Sequence, residues 1–498
     1  MRHLTIDEIQ TLEAQRCWAD DWSNILVAEG FSTAKVRNTN FYGHVCIGSD
    51  VTVTDVKMLK GTGKAAKPMV VSVLNEGGDG NIILCPRLTS QLAWLMMHYA
   101  EVFSLVFDEE KRRIEAETPV ATTVIGNGAV IEGATKIVDC YIQSTAEAPT
   151  YIGPDVIMTK TVTAASAEIT DGAKVSESFV GEAVHIGKGF SSEASVFFAN
   201  TYMDNGEACA ALCGPFSCSH HKSTLLIGGQ FSFYNAGSNT NQSNHAYKMG
   251  PIHWGILERG AKTASGCHIL WPAHIGPFSM VMGKVAEHPQ IADLPFSYIL
   301  ALREKTYIVP GINIKTVGTW RDVNKWPKRD GRPEAARCDI VDFAFPNPYI
   351  LQFVTRGIDR LKTLVAEQGE DAEEYKIEGC YIKRNALLKG LSYYDLVLRL
   401  AGGYTSDKEW LDLCGMIAPL NDICDLVAAV GRGDISDIAS VETKLAEIHA
   451  SSLAEINVGI DAQAHAEWLE LVRQDAQREF EMGDVDECFL NEFIEKVK

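Results

Sequence analysis

The 498-residue sequence lacks long hydrophobic runs and lacks an excess of positive charge. Nowhere do about eighteen apolar residues follow one another, the length a membrane-spanning helix requires. The chain holds 45 Lys and Arg against 65 Asp and Glu, a formal charge of -20, which opposes binding to nucleic acid because that binding neutralises many phosphates. The opening MRHLTIDEIQ is charged and does not lead into an apolar run. We therefore expect a cytoplasmic protein without a nucleic-acid or membrane partner.

Several signatures of catalysis and metal binding are also missing. The chain has no G-x-x-x-x-G-K-[ST] phosphate loop and no G-x-S-x-G nucleophile elbow. It has neither C-x-x-C nor H-E-x-x-H, two common zinc-binding spacings. Its N-terminus lacks the Gly-rich, Arg-containing opening of a nucleotidyltransferase. These absences argue against an ordinary ATPase, hydrolase or pyrophosphorylase.

The sequence does contain a repeat between Thr123 and Ser192, where a small apolar residue returns every six positions with Gly, Ala, Asp or Asn between. In a three-sided solenoid, six residues advance the chain by one short strand, and each inward apolar residue stacks on its equivalent in the next coil. The spacing predicts a left-handed parallel β-helix. An antiparallel β domain is less favoured because its strands have a period of two. The repeating residues are Ile125, Ile131, Ile137, Ile152, Met158, Ile169, Val175, Val180 and Ile186.

Helical patterns flank and interrupt this β region. A capping-box pair near the N-terminus predicts a helical cap over residues 1–40. A leucine-rich stretch predicts a helix at about 86–115, inserted into a β-helix domain that spans 41–333. Within that domain, the turn residues Gly77–Gly80 lie between two β-prone runs and predict a hairpin. From 334 to 498, apolar residues three and four apart predict an α-helical C-terminal domain.

Three blocks of sequence resemble a bacterial family, the domain of unknown function 4954. They are MRHLTIDEIQTLEAQRCWADDWSNILVAEGF, LNEGGDGNIILCPRLTSQLAWLM and FSFYNAGSNTNQSNHAYKMGPIHWGILERGAKTASGCHILWPAHIGPFSMVMGK. The resemblance covers most of the chain and implies a β-helix domain followed by a separate helical domain. It implies no particular reaction. More distantly, the hexapeptides are similar to those of acyltransferases and sugar-nucleotide enzymes with left-handed β-helices. By that analogy we expect a homo-oligomer, with a trimer favoured.

Histidines concentrate between residues 220 and 274. A neutral imidazole can take a proton from a nucleophile, and residues a whole number of coils apart can share one groove of a solenoid. A single histidine is more simply explained as a half-buried ring bonded to the backbone, but the cluster favours a functional site. The candidate general bases are His220, His221, His245 and His253. The polar run SFYNAGSNTNQSNH and its neighbour supply the candidate substrate-binding residues Asn235, Asn239, Asn244 and Lys248.

A crowded group of cysteines precedes these histidines. Thirteen cysteines without dense regular spacing indicate reduced thiols and not a secreted disulfide framework. Thiolate and imidazole are ligands suited to zinc, so the cofactor is left open, with a divalent metal such as zinc as one possibility. The simpler interpretation is buried thiols beside polar imidazoles. The candidate metal ligands are Cys209, Cys213, Cys218, His268 and His274.

A basic patch, VGTWRDVNKWPKRDGRP, spans residues 317–333 of this otherwise acidic chain. Guanidinium groups bind oxyanions and indole rings stack on a base or a sugar, so the patch has what a nucleotide-like ligand needs. A basic linker that packs on the acidic C-terminal domain would have the same composition. The candidate substrate-binding residues here are Trp320, Arg321, Lys325, Trp326 and Arg329.

Three functions fit these observations. The first is a transferase acting on a phosphorylated or nucleotide-linked sugar, by acyl or related group transfer, with a histidine as general base and the basic patch on the phosphate. The second is a metal-dependent lyase or hydratase centred on the Cys and His cluster. The third is a non-catalytic oligomeric scaffold, in which the helical domain recruits a partner.

Overall fold

The computed structural model describes residues 1–63, 69–78, 82–117, 123–244, 252–483 and 487–496. Within these ranges the chain forms ten α-helices and many short strands, most of them parallel. None of the helices in the described ranges is long and apolar enough to cross a membrane. The architecture is therefore mixed α and β, with parallel sheets dominating the first part of the chain.

The strands are two to five residues long. The first ten are β1 (Arg2–His3), β2 (Trp18–Ala19), β3 (Ile25–Val27), β4 (Val36–Arg37), β5 (Asn40–Gly43), β6 (Val45–Ile47), β7 (Thr52–Thr54), β8 (Leu59–Gly61), β9 (Met69–Val71) and β10 (Ile82–Leu84). The next eighteen are β11 (Thr123–Ile125), β12 (Val130–Glu132), β13 (Lys136–Val138), β14 (Tyr141–Ile142), β15 (Tyr151–Ile152), β16 (Ile157–Thr159), β17 (Val162–Thr163), β18 (Glu168–Ile169), β19 (Lys174–Ser176), β20 (Phe179–Val180), β21 (His185–Gly187), β22 (Ser191–Glu193), β23 (Val196–Phe197), β24 (Tyr202–Asp204), β25 (Glu207–Cys209), β26 (Leu212–Cys213), β27 (Cys218–Ser219) and β28 (Leu225–Ile227). The following eleven are β29 (Gly229–Phe231), β30 (Asn241–Ser243), β31 (Gly255–Leu257), β32 (Lys262–Thr263), β33 (His268–Leu270), β34 (His274–Ile275), β35 (Met280–Met282), β36 (Lys284–Val285), β37 (Gln290–Ile291), β38 (Tyr298–Leu302) and β39 (Lys305–Val309).

Successive strands join three sheets in rotation. The first sheet has the order β1-β3-β6-β11-β14-β17-β20-β23-β26-β29-β31-β34-β37. The second sheet is β4-β7-β12-β15-β18-β21-β24-β27, and the third is β2-β5-β8-β13-β16-β19-β22-β25-β28. Between β11 and β28 each strand pairs in parallel with the strand three places later, for example β11 with β14 and β12 with β15. This parallel pairing excludes the antiparallel alternative for that region.

Apolar side chains in register fill the space behind these sheets. In the second sheet Ile131, Ile152, Ile169, Ile186 and Met203 are direct partners on five successive strands, and each is fully buried. Neighbouring strands lie about 4.8 Å apart, so these side chains stack in contact. Burial of each contributes about 1.5–3 kcal/mol to folding. All the residues predicted from the sixfold spacing are likewise buried, which confirms their inward placement.

The first helix, α1 (Ile6–Ala14), begins with the capping box that the sequence indicates. The Thr5 hydroxyl accepts from the Glu8 backbone N–H, and the Glu8 carboxylate accepts from the Thr5 N–H. The same N-terminal stretch also contains β1 to β4, which pair within the three sheets. The cap residues and the sheets therefore share one continuous core.

The insertion contains an antiparallel hairpin and two helices. β9 pairs with β10, as the turn residues between them predict. The predicted single helix at about 86–115 is instead α2 (Ser90–His98) followed by α3 (Ala100–Glu117). The break falls at Tyr99, whose ψ of 40° departs from helical geometry. This residue turns the chain, and α3 packs against α2 and the later helices.

After the sheets, helices alternate with two hairpins. The helices are α4 (Val317–Lys325), α5 (Pro348–Gln368), α6 (Arg384–Leu400), α7 (Leu420–Gly431), α8 (Ile438–Ile456), α9 (Ala462–Glu481) and α10 (Glu487–Lys496). The hairpin strands are β40 (Glu374–Ile377), β41 (Cys380–Lys383), β42 (Trp410–Leu413) and β43 (Met416–Pro419). β41 pairs in parallel with β39, so this region continues a sheet that also holds β32, β35 and β38. The three remaining strands, β30, β33 and β36, form a small parallel sheet.

A buried arginine joins the sheets to the C-terminal hairpin β42–β43. Arg259 donates from Nε to Asp412 Oδ2 at 2.7 Å, and both side chains are 3% exposed. Its two other nitrogens donate to the backbone carbonyls of Asp342 and Gly415 at 2.6 and 2.9 Å. The guanidinium also lies 4.4 Å from the centre of the Phe233 ring. Each of the three guanidinium nitrogens thus donates a hydrogen bond that holds the two parts together.

We expect the substitution Arg259→Met to lower the free energy of unfolding by about 3–5 kcal/mol, because it leaves the Asp412 carboxylate buried without a cation. Urea unfolding followed by circular dichroism measures this loss. The matched control is Arg432→Met, whose pair with Asp434 is 63% and 60% exposed and contributes about 0–1 kcal/mol. Equal losses in the two variants would contradict the role given to Arg259.

Candidate functional site

A cavity of about 570 Å³ lies between the outer face of the second sheet and the segment that runs from α4 to Gly331. One wall is built by β21, β24 and β27 with the residues that follow them. The other wall carries Asp322, Lys325, Trp326 and Arg329. Ligand sites in proteins usually occupy about 300–1,000 Å³, so the cavity is large enough for a small molecule.

The sheet wall follows from the alternation of side chains along a strand. In β24 and β27 the inward residues Met203 and Ser219 are fully buried, so their neighbours point outward. Tyr202 pairs directly with Cys218, and Cys218 in turn forms a parallel bridge with Asn235. These three outward side chains therefore lie in one line along the cavity.

Cys218 and His220 form a thiol–imidazole pair within this wall. They are two residues apart on one strand face, and the Cys218 Sγ lies 3.0 Å from the His220 Nδ1. Partial burial lowers the pKa of His220, and the nearby ring of His221 lowers it further. Burial raises the pKa of the Cys218 thiol to about 11, against the opposing influence of Lys325 and Arg329. At neutral pH the pair is therefore an uncharged thiol beside an uncharged base.

Asp204 supplies a buried carboxylate to the same wall. Its side chain is 0% exposed, and its Oδ2 accepts from the Lys188 ammonium at 2.6 Å. Its Oδ1 lies 3.3 Å from His185 Nε2 but has no hydrogen-bond partner among the described residues. A Cβ on the neighbouring Gly187 would lie 2.8 Å from His185 Nε2 and 3.0 Å from Asp204 Oδ1, so only glycine lets the two groups come this close.

The opposite wall begins with the N-terminus of α4. The Thr316 hydroxyl caps this helix by accepting from the Thr319 N–H. One turn later Asp322, 1% exposed, accepts from Lys325 Nζ at 2.6 Å and also binds Lys262. Burial would raise the pKa of the Asp322 carboxyl, but Lys262 and Lys325 hold it below its ordinary value. The carboxylate thereby fixes the Lys325 ammonium at the cavity.

Trp326 and Arg329 complete this wall in different ways. Trp326 is 7% exposed and packs edge-on against Phe233, with ring centres 4.7 Å apart, and against Phe278 at 5.8 Å. Its ring therefore forms part of the cavity floor. Arg329 is exposed at the same cavity, and in the part of the chain that the structure describes its guanidinium has no ion pair. It is the cation most available to an incoming anion.

Buried carboxylates hold the segment 332–339, which follows the cavity residues in the chain. Glu182 accepts the backbone N–H groups of Cys338 and Asp339 and lies 3.5 Å from the Arg332 guanidinium. Asp339 in turn accepts the backbone N–H of Ser90 at 2.8 Å. Burial, followed by the nearby Asp339, raises the pKa of Glu182 to about 7. This network holds the second wall of the cavity against the sheet and α2.

The structure brings six of the sequence-predicted residues to this one cavity. His221 does not line it but lies beside it, its ring 4.1 Å from that of His220. The candidates His245 and Lys248 lie outside the described residues. The six residues are Cys218, His220, Asn235, Lys325, Trp326 and Arg329.

The other predicted ligand-binding residues lie elsewhere. Trp320 packs against Phe493 in a T-shaped contact, with ring centres 4.9 Å apart, and is not among the cavity residues. Arg321 is 55% exposed, lies 3.7 Å from Asp322 and is not among the cavity residues. The remaining asparagines and histidine have local roles. Asn239 is a turn residue with φ of 58°, Asn244 donates to the Glu76 carboxylate, and His253 donates its backbone N–H to the Asn244 carbonyl at 2.6 Å.

The predicted metal ligands are not brought together. Cys213 is in the apolar core, and Cys209 lies on the outer face of the third sheet. His268 lies on β33, and His274 Nε2 bonds to Glu258 at 2.6 Å. Across the described ranges, no group of three or more His, Cys, Asp and Glu side chains could hold a metal ion.

Sequence reasoning missed Lys188, Tyr202, Asp204 and Asp322, all of which line the cavity. A signal for two of them was present, because Tyr202 and Asp204 flank an inward residue and so must point outward. The orientation of these two residues is not evident from the sequence, because the sixfold spacing degrades after Ser192 and no longer shows which residue points inward. Nothing in the local sequence indicates that Asp322 is buried.

Comparison with protein families gives two matches. One family profile, described as Domain of unknown function (DUF4954), matches residues 1–53 and 107–365, which is more than half of the chain. A second, described as Domain of unknown function (DUF6819), matches residues 398–475 in the helical part. No curated protein matches the chain. The cavity residues all fall within the first match.

We expect the His220 ring to titrate below the ordinary histidine pKa of about 6.5, because burial disfavours the imidazolium. The ring Cε1–H signal, assigned with the His220→Gln variant, reports this midpoint in an NMR titration. In His221→Gln the midpoint should rise, since a neighbouring cation is removed, whereas the distant His3→Gln variant should leave it unchanged. A midpoint above 6.5 would contradict the arrangement described here.

Proposed function

The chain belongs to the family of the domain of unknown function 4954, and we propose that it is a transferase acting on a phosphorylated or nucleotide-linked sugar. His220 is the general base, Lys325 and Arg329 hold the phosphate, and the transferred group is an acyl or related group. One observation carries the proposal. A neutral imidazole, two buried carboxylates and three cations surround a single cavity of about 570 Å³.

The charges of the cavity favour a ligand with one phosphorylated end. Lys188 is neutralised by Asp204, and Lys325 by Asp322. Arg329 is left as an uncompensated cation, which gives the cavity a local positive charge in a chain of formal charge -20. Guanidinium binds phosphate through two parallel hydrogen bonds, and an adjacent ammonium adds a point charge. The acidic surface elsewhere would repel the same ligand.

The sheet wall favours a sugar over a purely apolar ligand. The Asp204 Oδ1 is an acceptor without a hydrogen-bond donor among the described residues, and a sugar hydroxyl supplies one. Asn235 offers both a donor and an acceptor on the same line of side chains. Tyr202, 39% exposed, presents an aromatic ring at the edge of the cavity. Hydroxyl groups and an apolar ring face are the two surfaces of a pyranose.

The order in which successive strands join the three sheets supports a finer description of the fold. We propose that the three parallel sheets are the faces of a left-handed β-helix, since the buried residues recur every six positions and each sheet receives every third strand. The expected assembly is a homo-trimer, by analogy with other proteins that carry this repeat. A mass of three chains in light scattering would support that assembly.

Ligand binding tests the proposed phosphate site. We expect inorganic phosphate, a hexose phosphate and a uridine-diphosphate sugar to raise the thermal unfolding temperature, with the sugar-containing ligands stronger than phosphate alone. Arg329→Ala removes a charged hydrogen-bonding group worth about 1.5–3 kcal/mol, so affinity should fall roughly ten- to hundredfold. Isothermal titration calorimetry measures that change.

The matched control for this experiment is Lys328→Ala. Lys328 is exposed, one residue from Arg329, and does not line the cavity. Its loss removes the same unit of charge from the same short segment and should change affinity less than about threefold at physiological salt. Equal losses of affinity in Arg329→Ala and Lys328→Ala would mean that the ligand is attracted by the overall charge of the segment and not by Arg329 in particular. No binding by any of the three ligands would favour the scaffold function.

Turnover tests the proposed base. We expect release of free thiol from an acyl-CoA donor when the protein is supplied with a sugar-phosphate acceptor. His220→Gln should reduce this rate about 10²–10⁴-fold, the usual contribution of a positioned general base. The control His3→Gln, at a site far from the cavity, should retain the full rate. A rate that survives His220→Gln would remove the imidazole from the mechanism.

A further inference from the structure

Among the described residues that line the cavity, Cys218 is the one thiol, and it contacts the imidazole of His220. An imidazole nitrogen is a much stronger hydrogen-bond acceptor than a thiol sulfur. In the tautomer that carries its ring proton on Nε2, the 3.0 Å contact is a bond from the Sγ–H to the His220 Nδ1. The lone pair of the base thus points at the sulfur, and the first proton within its reach is that of the thiol.

The surroundings of this thiol differ from those of the other half-exposed cysteine on the sheets. Cys209 also lies on an outer sheet face, but its charged neighbours are the carboxylates of Glu76, Glu193 and Glu207. All three oppose a thiolate. The charged groups that dominate around Cys218 are instead the cations Lys325 and Arg329, which favour a thiolate and the negative charge of an attacked carbonyl.

A second observation points to a ligand beside this pair. The Asp204 carboxylate, 0% exposed, lines the same cavity and keeps one oxygen without a hydrogen bond among the described residues. A buried acceptor of this kind is costly unless a donor reaches it. The cavity wall therefore holds a carboxylate with one unfilled acceptor, 3.3 Å from His185 Nε2, together with a thiol, a base and two cations.

We propose that Cys218 is the nucleophile of the transfer and carries the acyl group as a thioester between donor and acceptor. This inference rests on the proposed function, since it assumes that an acyl group is transferred. It changes the order of events: the base first serves the thiol, and serves the acceptor only after the sulfur has been acylated.

The first step moves the acyl group from a thioester donor to the protein. The Cys218 sulfur attacks the acyl carbonyl, a new Sγ–C bond forms, and the C–S bond of the donor breaks. His220 Nδ1 takes the thiol proton and then delivers it to the departing donor sulfur. Lys325 and Arg329 are cations whose charges act on the sulfur, and the same charges favour the oxyanion that forms in this step.

The second step returns the protein to its starting state. Once Cys218 is acylated it has no proton to donate, so Nδ1 is free to accept one from the hydroxyl or amine of the sugar acceptor. The acceptor atom bonds to the acyl carbon, the Sγ–C bond breaks, and the proton passes from His220 to the leaving thiolate. The acyl group has moved, no atom is oxidised or reduced, and no further reactant is needed.

Thiol alkylation tests the pair without any substrate. The intact protein is treated with a limiting amount of iodoacetamide at pH 7, and peptide-resolved mass spectrometry follows each cysteine. We expect Cys218 to react at least tenfold faster than Cys209, because a base and two cations assist it. His220→Gln should slow Cys218 at least tenfold and leave Cys209 unchanged, whereas His3→Gln should change neither. Equal rates for the two cysteines, or no effect of His220→Gln, would overturn the proposal.

Acyl loading provides the second readout. Incubation with acetyl-CoA alone should add one acetyl group to the Cys218 peptide, removable by neutral hydroxylamine, and Cys218→Ser should abolish both this adduct and turnover. Turnover that persists in Cys218→Ser would overturn the nucleophile and leave the proposed transfer intact. If alkylation and acyl loading occur as expected but no sugar phosphate binds or reacts, the nucleophile stands and the proposed acceptor is wrong.

Discussion

In-register parallel pairing is the constraint on which the rest of the molecule depends. Each strand must place its one inward residue against the inward residue of the strand below, as Ile152, Ile169 and Ile186 do in the second sheet. A slip by one residue would expose every one of them and bury polar neighbours. The same register fixes the outward side chains at about 4.8 Å intervals. Tyr202, Cys218 and Asn235 are aligned for this reason, as partners in the parallel backbone pairing.

A line of side chains on an open sheet is not a cavity, and the later part of the chain supplies the missing wall. The attachment is polar and buried. Arg259 binds Asp412, Arg332 lies against Glu182, and Asp339 accepts the backbone N–H of Ser90 at the start of α2. Removing one partner of such a pair is costly, which keeps the wall in one position. The site therefore combines a regular sheet face with an irregular segment. The buried pairs of Arg259 and Arg332 hold that part of the chain against the sheets.

Much of this arrangement was predictable. Thr5 and Glu8 form the indicated capping box, the residues of sixfold spacing are buried, and residues 398–475 fall in a helical region. The cavity joins the cluster containing His220 to the patch containing Arg329, two features that sequence reasoning found separately. That the His220 cluster and the Arg329 patch line one cavity could only be a hypothesis about function at that stage. No periodic pattern in the sequence links positions a hundred residues apart. The single helix predicted at about 86–115 is divided at Tyr99 into α2 and α3.

The sequence by itself determined which residues point inward between Thr123 and Ser192, which stretches are helical and where imidazole, thiol and guanidinium groups are concentrated, because these follow from local spacing and composition. Only the tertiary structure decided which of them meet. Cys218 and Cys209 are both half-exposed thiols on outer sheet faces, yet the charges of Lys325 and Arg329 act on one and those of carboxylates on the other. That difference arises from the segment packed over each sheet face. A thiol's reactivity depends on the charges within a few ångströms, and those charges come from distant parts of the chain.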